Sequence, residues 1–229
     1  MKFADGSMWP KVLGEFETLR KLQEGYSLAR FGDGEFKVAA GGRALSEPAN
    51  KRLAKELRKI LTEPHEKCLV GIPTLDPNGP KYSNWLKFAP RCRPYVDMNR
   101  TYYSAFISRP DSAPWINTQE FLALFESLWE GKRAVVVCES DDSKIRRVVQ
   151  LKARETPRVS CPPRETYAVL PQIEALVLEH EPDVVLISAG PAATCLAHRL
   201  AMKGVQAIDT GRAGRFLLKL ACSRKPLSA

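Results

Sequence analysis

The sequence lacks any apolar run long enough to cross a bilayer. Its longest such runs, residues 134–138 and 184–187, are far shorter than the roughly 20 residues that a membrane-spanning helix needs. The first ten residues include Asp5 and Trp9-Pro10 and lack the apolar core of a signal peptide. We therefore expect a cytoplasmic protein.

Paired cysteines are also absent, because none of the six lies in a Cys-x-x-Cys spacing. The cysteines are Cys68, Cys92, Cys138, Cys161, Cys195 and Cys222. Three of them, Cys68, Cys138 and Cys161, lie in strand-like segments, where buried free thiols are common. The spacing predicts neither a disulfide framework nor a zinc site.

Internal repeats and low-complexity tracts are missing as well. The 229 residues contain 44% hydrophobic residues, enough to bury one sizeable core. We therefore predict that residues 1–229 form a single domain.

Short apolar segments alternate with amphipathic ones along the chain. The predicted strands are residues 28–31, 68–72, 134–138, 159–161, 184–188 and 206–208, and the predicted helices are residues 48–61, 118–129, 143–152, 167–179 and 192–203. Strands that alternate with helices of this length predict a Rossmann-like α/β fold, with a mostly parallel sheet and helices on both faces. Residues 74–112, rich in Pro, Asn, Tyr and Arg, interrupt this alternation and predict a long loop over the sheet that covers a ligand.

The first predicted strand leads directly into two carboxylates, Asp33 and Glu35, separated by one glycine. Oxygen ligands of this kind suit a hard divalent cation such as Mg²⁺ or Mn²⁺, which can bridge the phosphates of a nucleotide. Gly32 and Gly34 would allow a sharp turn and a close approach to a ligand. The spacing alone is also typical of a solvated loop.

Two sequence blocks resemble the DUF1792 family of glycosyltransferases, which have the fold called GT-D. The first block is Arg-Phe-Gly-Asp-Gly-Glu-Phe at residues 30–36, and the second combines residues 183–197 with Gly204 to Gly211. Weaker similarities lie at residues 71–73, 105–110 and 161–167. The resemblance covers residues 27–212, which leaves residues 216–229 as a basic C-terminal tail.

This resemblance implies a metal-dependent glycosyltransferase that takes a sugar from a nucleotide sugar, with UDP-glucose or a related UDP-sugar as the first donor to test. The implied acceptor is a glycan, a glycoprotein or a lipid-linked oligosaccharide. Asp33 and Glu35 would be the catalytic residues that hold Mn²⁺ or Mg²⁺. One departure is Arg212, which stands where a histidine is expected in the family.

Ligands of open α/β sheets gather beyond the carboxyl ends of the strands, where Asp33, Glu35, residues 139–143, Gly190-Pro191 and residues 209–211 lie. Arg30 and Arg109 are candidates for phosphate contacts or for structural ion pairs. The other candidate substrate-binding residues are Gly32, Gly34, Gly190, Pro191, Asp209 and Gly211. Gly190-Pro191 also fits a plain strand-to-helix turn, and the acidic residues at 139–142 also fit a helix cap.

No residue stands out as the base that would deprotonate the acceptor. Glu165 and Asp209 are the candidates, and both inversion and retention remain open.

A formal net charge of +9 predicts attraction to anions without choosing among nucleotides, nucleic acid and acidic membranes. The helix at 48–61 would carry a solvated basic face. Residues 216–225 fit either peripheral contact with anionic lipid at the inner face of the membrane or a docked terminal helix with a basic end.

Two competing classes remain at this point. A basic nucleic-acid-binding module would use the aromatic residues between Trp85 and Tyr103, but the acidic residues at 33 and 35 would repel a phosphate backbone, so we expect no nucleic acid. A metal-dependent phosphohydrolase or nucleotidyl transferase would use the same carboxylates to attack phosphorus instead of carbon.

Overall fold

The computed structural model describes residues 9–63, 65–75, 93–109, 116 and 118–223. Within these residues, seven strands form one parallel sheet with the order β3-β2-β1-β7-β6-β4-β5. The strands are β1 (Ser27–Arg30), β2 (Cys68–Ile72), β3 (Tyr103–Ser104), β4 (Ala134–Cys138), β5 (Arg158–Ser160), β6 (Val184–Ser188) and β7 (Ala207–Asp209).

Helices cover both faces of this sheet. The helices among the described residues are α1 (Glu15–Gln23), α2 (Asp33–Ala39), α3 (Lys51–Thr62), α4 (Gln119–Glu126), α5 (Lys144–Val149), α6 (Leu170–Glu179), α7 (Pro191–Met202) and α8 (Ala213–Cys222). One apolar cluster lies between the sheet and α2, α3, α6 and α7, and a second lies between the sheet and α1, α4, α5 and α8. The predicted fold class is therefore confirmed.

The central strands are buried on both faces, which explains their continuous apolar sequences. All five residues of β2 and of β4 are buried, and the bounds of β2, β4 and β6 equal the predicted ones. The other three predicted strands and all five predicted helices are also present. Their first and last residues differ from the predicted ones by one to three residues, except at residue 179, where the helix ends as predicted.

For the C-terminal segment, the sequence left open a lipid-binding segment and a docked terminal helix, and the docked helix is present as α8. Leu217 and Leu220 of α8 are buried in the second apolar cluster, where α8 packs against α4 and α5. The basic residues Arg224 and Lys225 lie outside the described residues, so contact with anionic lipid stays a prediction. Among the described helices, none is both long and apolar enough to span a membrane.

The prediction from the sequence was wrong at three places. It missed α1, and it missed β3, a two-residue edge strand that pairs with β2 inside the predicted loop at 74–112. It also took residues 32–35 as a tight turn, whereas α2 begins at Asp33. Residues 76–92 and 110–112 of that loop, with Trp85 and Cys92, lie outside the described part. The five described cysteines are free thiols.

The connections that follow β1 and β7 diverge at the carboxyl ends of these two neighbours, and we call this place the crevice. The chain leaves β1 for α2 and α3 on one face and continues to β2, whereas it leaves β7 for α8 on the other face. Adjacent strands whose following segments diverge in this way mark the place where open α/β sheets bind ligands. Arg30 ends β1 and Asp209 ends β7, so both lie at this crevice.

Candidate active-site crevice between β1 and β7

Glu35 lies in the first turn of α2 and bends back toward the start of the helix. Its Oε2 atom accepts a hydrogen bond of 2.6 Å from the backbone N–H of Gly32, the N-cap residue. This bond satisfies one of the backbone donors that a helix start leaves unpaired, and a carboxylate is also favoured at that end of the helix dipole. Only 5% of the Glu35 side chain is exposed.

Asp33 is the accessible member of the acidic pair. Its side chain is 62% exposed, and its Oδ2 atom forms an ion pair of 3.2 Å with Lys37 one turn further along α2. The two carboxylates therefore differ in environment, because one faces solvent and the other is packed beside Gly32 and Arg30.

Arg30 places its guanidinium between two acidic side chains. Its Nη2 atom lies 3.7 Å from Oε2 of Glu35, and its Nε atom lies 3.6 Å from Oδ1 of Asp209. Both separations are longer than a hydrogen bond, and the buried Nε atom has no hydrogen-bond partner. The side chain is 13% exposed. A guanidinium in this state keeps donor capacity for an anionic ligand.

Asp209 is completely buried and is linked to three elements. One carboxyl oxygen accepts a 2.9 Å hydrogen bond from the Gly211 N–H, and the other lies 3.1 Å from Oγ1 of Thr194 on α7. The same Thr194 hydroxyl lies 2.8 Å from the backbone oxygen of Arg30. A hydroxyl has one proton, and a carbonyl can only accept, so both contacts are hydrogen bonds when Asp209 carries a proton.

Burial raises the pKa of the Asp209 carboxyl to about 6, although the Arg30 guanidinium opposes this shift and the Glu35 carboxylate adds to it. An unfolded aspartate loses its proton near about pH 3.9, so between these two values the native state binds more protons. The contribution of this group to stability is complete at low pH and is lost as the pH rises through about 6.

We therefore expect the variant Asp209→Asn to gain stability relative to the wild type as the pH rises. Asparagine keeps the shape of the neutral carboxyl group and does not titrate. Urea denaturation of both proteins between about pH 4.5 and about pH 7 measures the difference in free energy of unfolding. A difference that stays constant over this range would contradict the raised pKa.

Gly190 and Pro191 form the strand-to-helix turn between β6 and α7. Pro191 is the first residue of α7, and Gly190 has a φ of 59°, which favours glycine. Ser46, in the loop between α2 and α3, fills the space beside the Gly190 Cα, where a side chain would have to lie. Gly34 has a different environment, because a Cβ atom there would make ordinary contacts of 3.6 and 3.7 Å with Ala44 and Pro191.

The remaining candidates are Arg109, Arg212 and the two candidate bases. Arg109 follows the short 3₁₀ helix after β3, with β2 between that edge strand and β1. Arg212 is exposed at the N-cap of α8 and makes no capping bond. Of the two candidate bases, Asp209 does not reach solvent, whereas Glu165 is exposed and has a left-handed φ of 57°.

The acidic residues after β4 do not cap α5. Its N-cap, Ser143, makes no side-chain capping bond. Asp141 instead forms ion pairs with Arg158 at 2.8 Å and with Arg146 at 3.5 Å. The helix-cap alternative for this residue is therefore wrong.

The start of α2 offers oxygen donors of the type that Mg²⁺ or Mn²⁺ prefers. Asp33 presents an accessible carboxylate, and Oε1 of Glu35 accepts no hydrogen bond from the described residues. No group of three His, Cys, Asp or Glu side chains that could hold a metal ion occurs in that same part of the chain. This donor set fits an ion that has one or two carboxylate ligands and completes its shell with water and substrate phosphates, rather than an ion in a protein cage.

Comparison with known families assigns the fold. A family model described as the glycosyltransferase GT-D fold matches residues 28–215, which include the whole crevice. The chain belongs to the GT-D family. The resemblance of its two sequence blocks to DUF1792 is thereby confirmed.

Solved structures support the GT-D assignment at 28% sequence identity. A DUF1792 glycosyltransferase from Streptococcus sanguinis superposes with a TM-score of 0.78, covering 90% of this chain and 82% of the other. A structure of the domain of unknown function 1792, described as a distinct glycosyltransferase fold, gives a TM-score of 0.77 with 90% and 79% coverage.

Two curated streptococcal proteins are similar to this GT-D chain in sequence. The probable glycosyl transferase Gly of Streptococcus gordonii is 29% identical over 206 residues, and the glycosyltransferase GlyD of Streptococcus pneumoniae serotype 4 is 25% identical over 218 residues. The matches cover 83% and 88% of this chain, but only 30% and 26% of those proteins.

Proposed function

We propose that this GT-D chain transfers a sugar from a nucleotide sugar, with UDP-glucose or another UDP-sugar as donor, to a glycan, glycoprotein or lipid-linked acceptor. The observation that carries this proposal is the pairing of opposite charges in one crevice. The buried Arg30 guanidinium has unused donors, and the accessible Asp33 carboxylate lies at the same end of the sheet. A diphosphate with its bound cation needs both an anion-binding and a cation-binding group.

The residues of the crevice have distinct roles in this proposal. Arg30 donates hydrogen bonds to phosphate oxygens, and the carboxyl groups of Glu35 and Asp209, 3.7 and 3.6 Å from its guanidinium, partly balance its charge. Asp33 and the free oxygen of Glu35 would hold Mn²⁺ or Mg²⁺, which supplies neutralisation of the charge that develops on the leaving diphosphate.

An inverting transfer needs a carboxylate or a similar base to take the proton of the acceptor hydroxyl, whereas a retaining transfer need not use the same base. Glu165 is the better placed of the two candidates, because its side chain is exposed and Asp209 is enclosed. A residue held in a left-handed conformation is also a common feature of functional sites.

Product analysis tests the proposed reaction directly. The protein is incubated with a UDP-sugar and Mn²⁺, with and without EDTA, and we expect UDP together with free sugar or glycoside only when the metal is present. Formation of UMP and sugar phosphate would instead identify attack on phosphorus and would overturn glycosyl transfer.

Ligand-induced stabilisation identifies the nucleotide. A ligand that binds only the native state raises the melting temperature, and at a concentration of about 100 Kd it adds about 2.7 kcal/mol to the free energy of unfolding. We expect UDP with Mn²⁺ to raise Tm more than GDP, dTDP or CMP under the same conditions. A larger shift with another nucleotide would assign a different donor.

A further inference from the structure

Two glycines lie directly against the Arg30 guanidinium. A Cβ atom on Gly32 would lie 2.7 Å from Nη1 of Arg30, and a Cβ atom on Gly211 would lie 2.9 Å from Nη2 and 3.0 Å from Nε. Such separations are too short for non-bonded contacts. The guanidinium therefore occupies the space that a side chain at residue 32 or residue 211 would require.

Backbone conformation does not explain the glycine at residue 32. Gly32 has φ −104° and ψ −164°, an extended conformation that any residue adopts. Gly211 has a φ of 49°, which favours glycine in its own right. Gly204 provides the comparison, because its φ is 78° and nothing lies within 4 Å of the position of its Cβ.

The remaining contacts of Arg30 do not fix its position tightly. The ion pairs with Glu35 and Asp209 are 3.7 and 3.6 Å long, and the buried Nε makes no hydrogen bond. An arginine side chain has several rotatable bonds, so a new methyl group at residue 32 or residue 211 would displace the guanidinium rather than unfold the protein.

We propose that Gly32 and Gly211 are positioning residues that hold the Arg30 guanidinium in the crevice in the orientation that binds the diphosphate. This inference rests on the proposed phosphate contact of Arg30. It assigns Gly32 a role different from the close approach to a ligand that the sequence predicted, and Gly211 a role different from direct substrate binding.

Double-mutant cycles test the proposal. Gly32→Ala, Gly211→Ala and the control Gly204→Ala are each made in the wild type and in an Arg30→Ala background. UDP affinity is measured by calorimetry, kcat for sugar transfer by product formation, and Tm by thermal unfolding. Gly211→Ala is the sharper variant, because a methyl group at residue 32 would also lie 2.9 Å from Oε2 of Glu35.

We expect Gly32→Ala and Gly211→Ala to weaken UDP binding about tenfold, as when one charge-assisted hydrogen bond is weakened. In the Arg30→Ala background, where the space is empty, Gly211→Ala should not weaken binding further, and Gly32→Ala should keep only the part of its effect that comes from Glu35. Gly204→Ala should lower Tm about as much as Gly211→Ala does, since both place alanine at a positive φ, and should leave UDP affinity unchanged.

The proposal would be overturned if the glycine variants lost as much UDP affinity in the Arg30→Ala background as in the wild type. It would also be overturned if Gly211→Ala changed neither UDP affinity nor kcat. If Arg30→Ala does not alter UDP affinity but the cycle is non-additive in kcat, the phosphate contact fails and the positioning of Arg30 stands. Absence of sugar transfer in the wild type would overturn the proposed function, and UDP affinity would still test the positioning role.

Discussion

Replacing Asp33 with alanine is expected to reduce metal-stimulated sugar transfer at least about 100-fold, because loss of the proposed metal ligand would remove several kcal/mol of charge stabilisation from the leaving diphosphate. Stability should change little, since the side chain is 62% exposed and its ion pair with Lys37 lies at the surface. Initial rates at saturating Mn²⁺, together with Tm, measure both effects.

Lys37→Ala is the matched control for Asp33→Ala. It removes the same ion pair and leaves the carboxylate in place, so it should retain activity close to that of the wild type. If Asp33→Ala retained transfer that EDTA does not inhibit, the proposed metal site at the start of α2 would be refuted.

Glu35 should respond differently from Asp33, because its carboxylate is buried and accepts the Gly32 N–H. Alanine at this position leaves that buried donor without its acceptor and removes one of the two carboxyl groups beside the Arg30 guanidinium. We expect loss of both activity and stability, the latter by about 1–3 kcal/mol, the usual cost of an unpaired buried polar group. The contrast between the two acidic residues follows from their environments, which the motif alone does not show.

The sequence predicts the central strands well because strands that are buried on both faces of a sheet have continuous apolar sequences. β2, β4 and β6 are short runs of apolar residues, and no other local structure explains such runs as well in a chain with alternating helices. The amphipathic helix α3 follows from its periodicity in the same way. These elements depend on local patterns that a single sequence contains.

The start of α2 shows where local patterns mislead. Gly-Asp-Gly is typical of a turn, yet the helix begins within it because Phe36, Val38 and Ala39 become buried against the sheet and α3. The edge strand β3 has only two residues and acquires its identity from pairing with β2. Tertiary contacts decide both elements.

The sequence predicted which residues belong to the candidate site, but it did not predict which of them contact one another. Strand ends pointed to Arg30 and Asp209, which are 179 residues apart, because the carboxyl ends of parallel strands share one edge. That β7 lies directly beside β1, however, is a matter of strand order, and strand order is set by the whole chain. The contact between Arg30 and Gly211 follows only from that order.

Gly214 is the position where one methyl group should cost the most stability. It lies in the first turn of α8, and the space where its Cβ would lie is filled by the backbone nitrogen and Cα of Ile145 in α5. Backbone cannot move aside as a flexible side chain can, so Gly214→Ala would force α8 away from α5. We expect a loss of about 2–4 kcal/mol, at the upper end of the cost of overpacking, and a fall in Tm of roughly 5–15 °C.

Gly34→Ala is the matched control for stability, since Gly34 is also a helical glycine but has room for a methyl group. The same substitution there should be neutral or stabilise the protein by up to about 1 kcal/mol, because alanine favours the helix. Urea denaturation of both variants gives the comparison, and equal effects would contradict the packing argument.

Gly214 follows Gly211 by three residues, so displacement of α8 would also disturb the glycine that lies against Arg30. We therefore expect Gly214→Ala to weaken UDP binding even at temperatures where the variant remains folded.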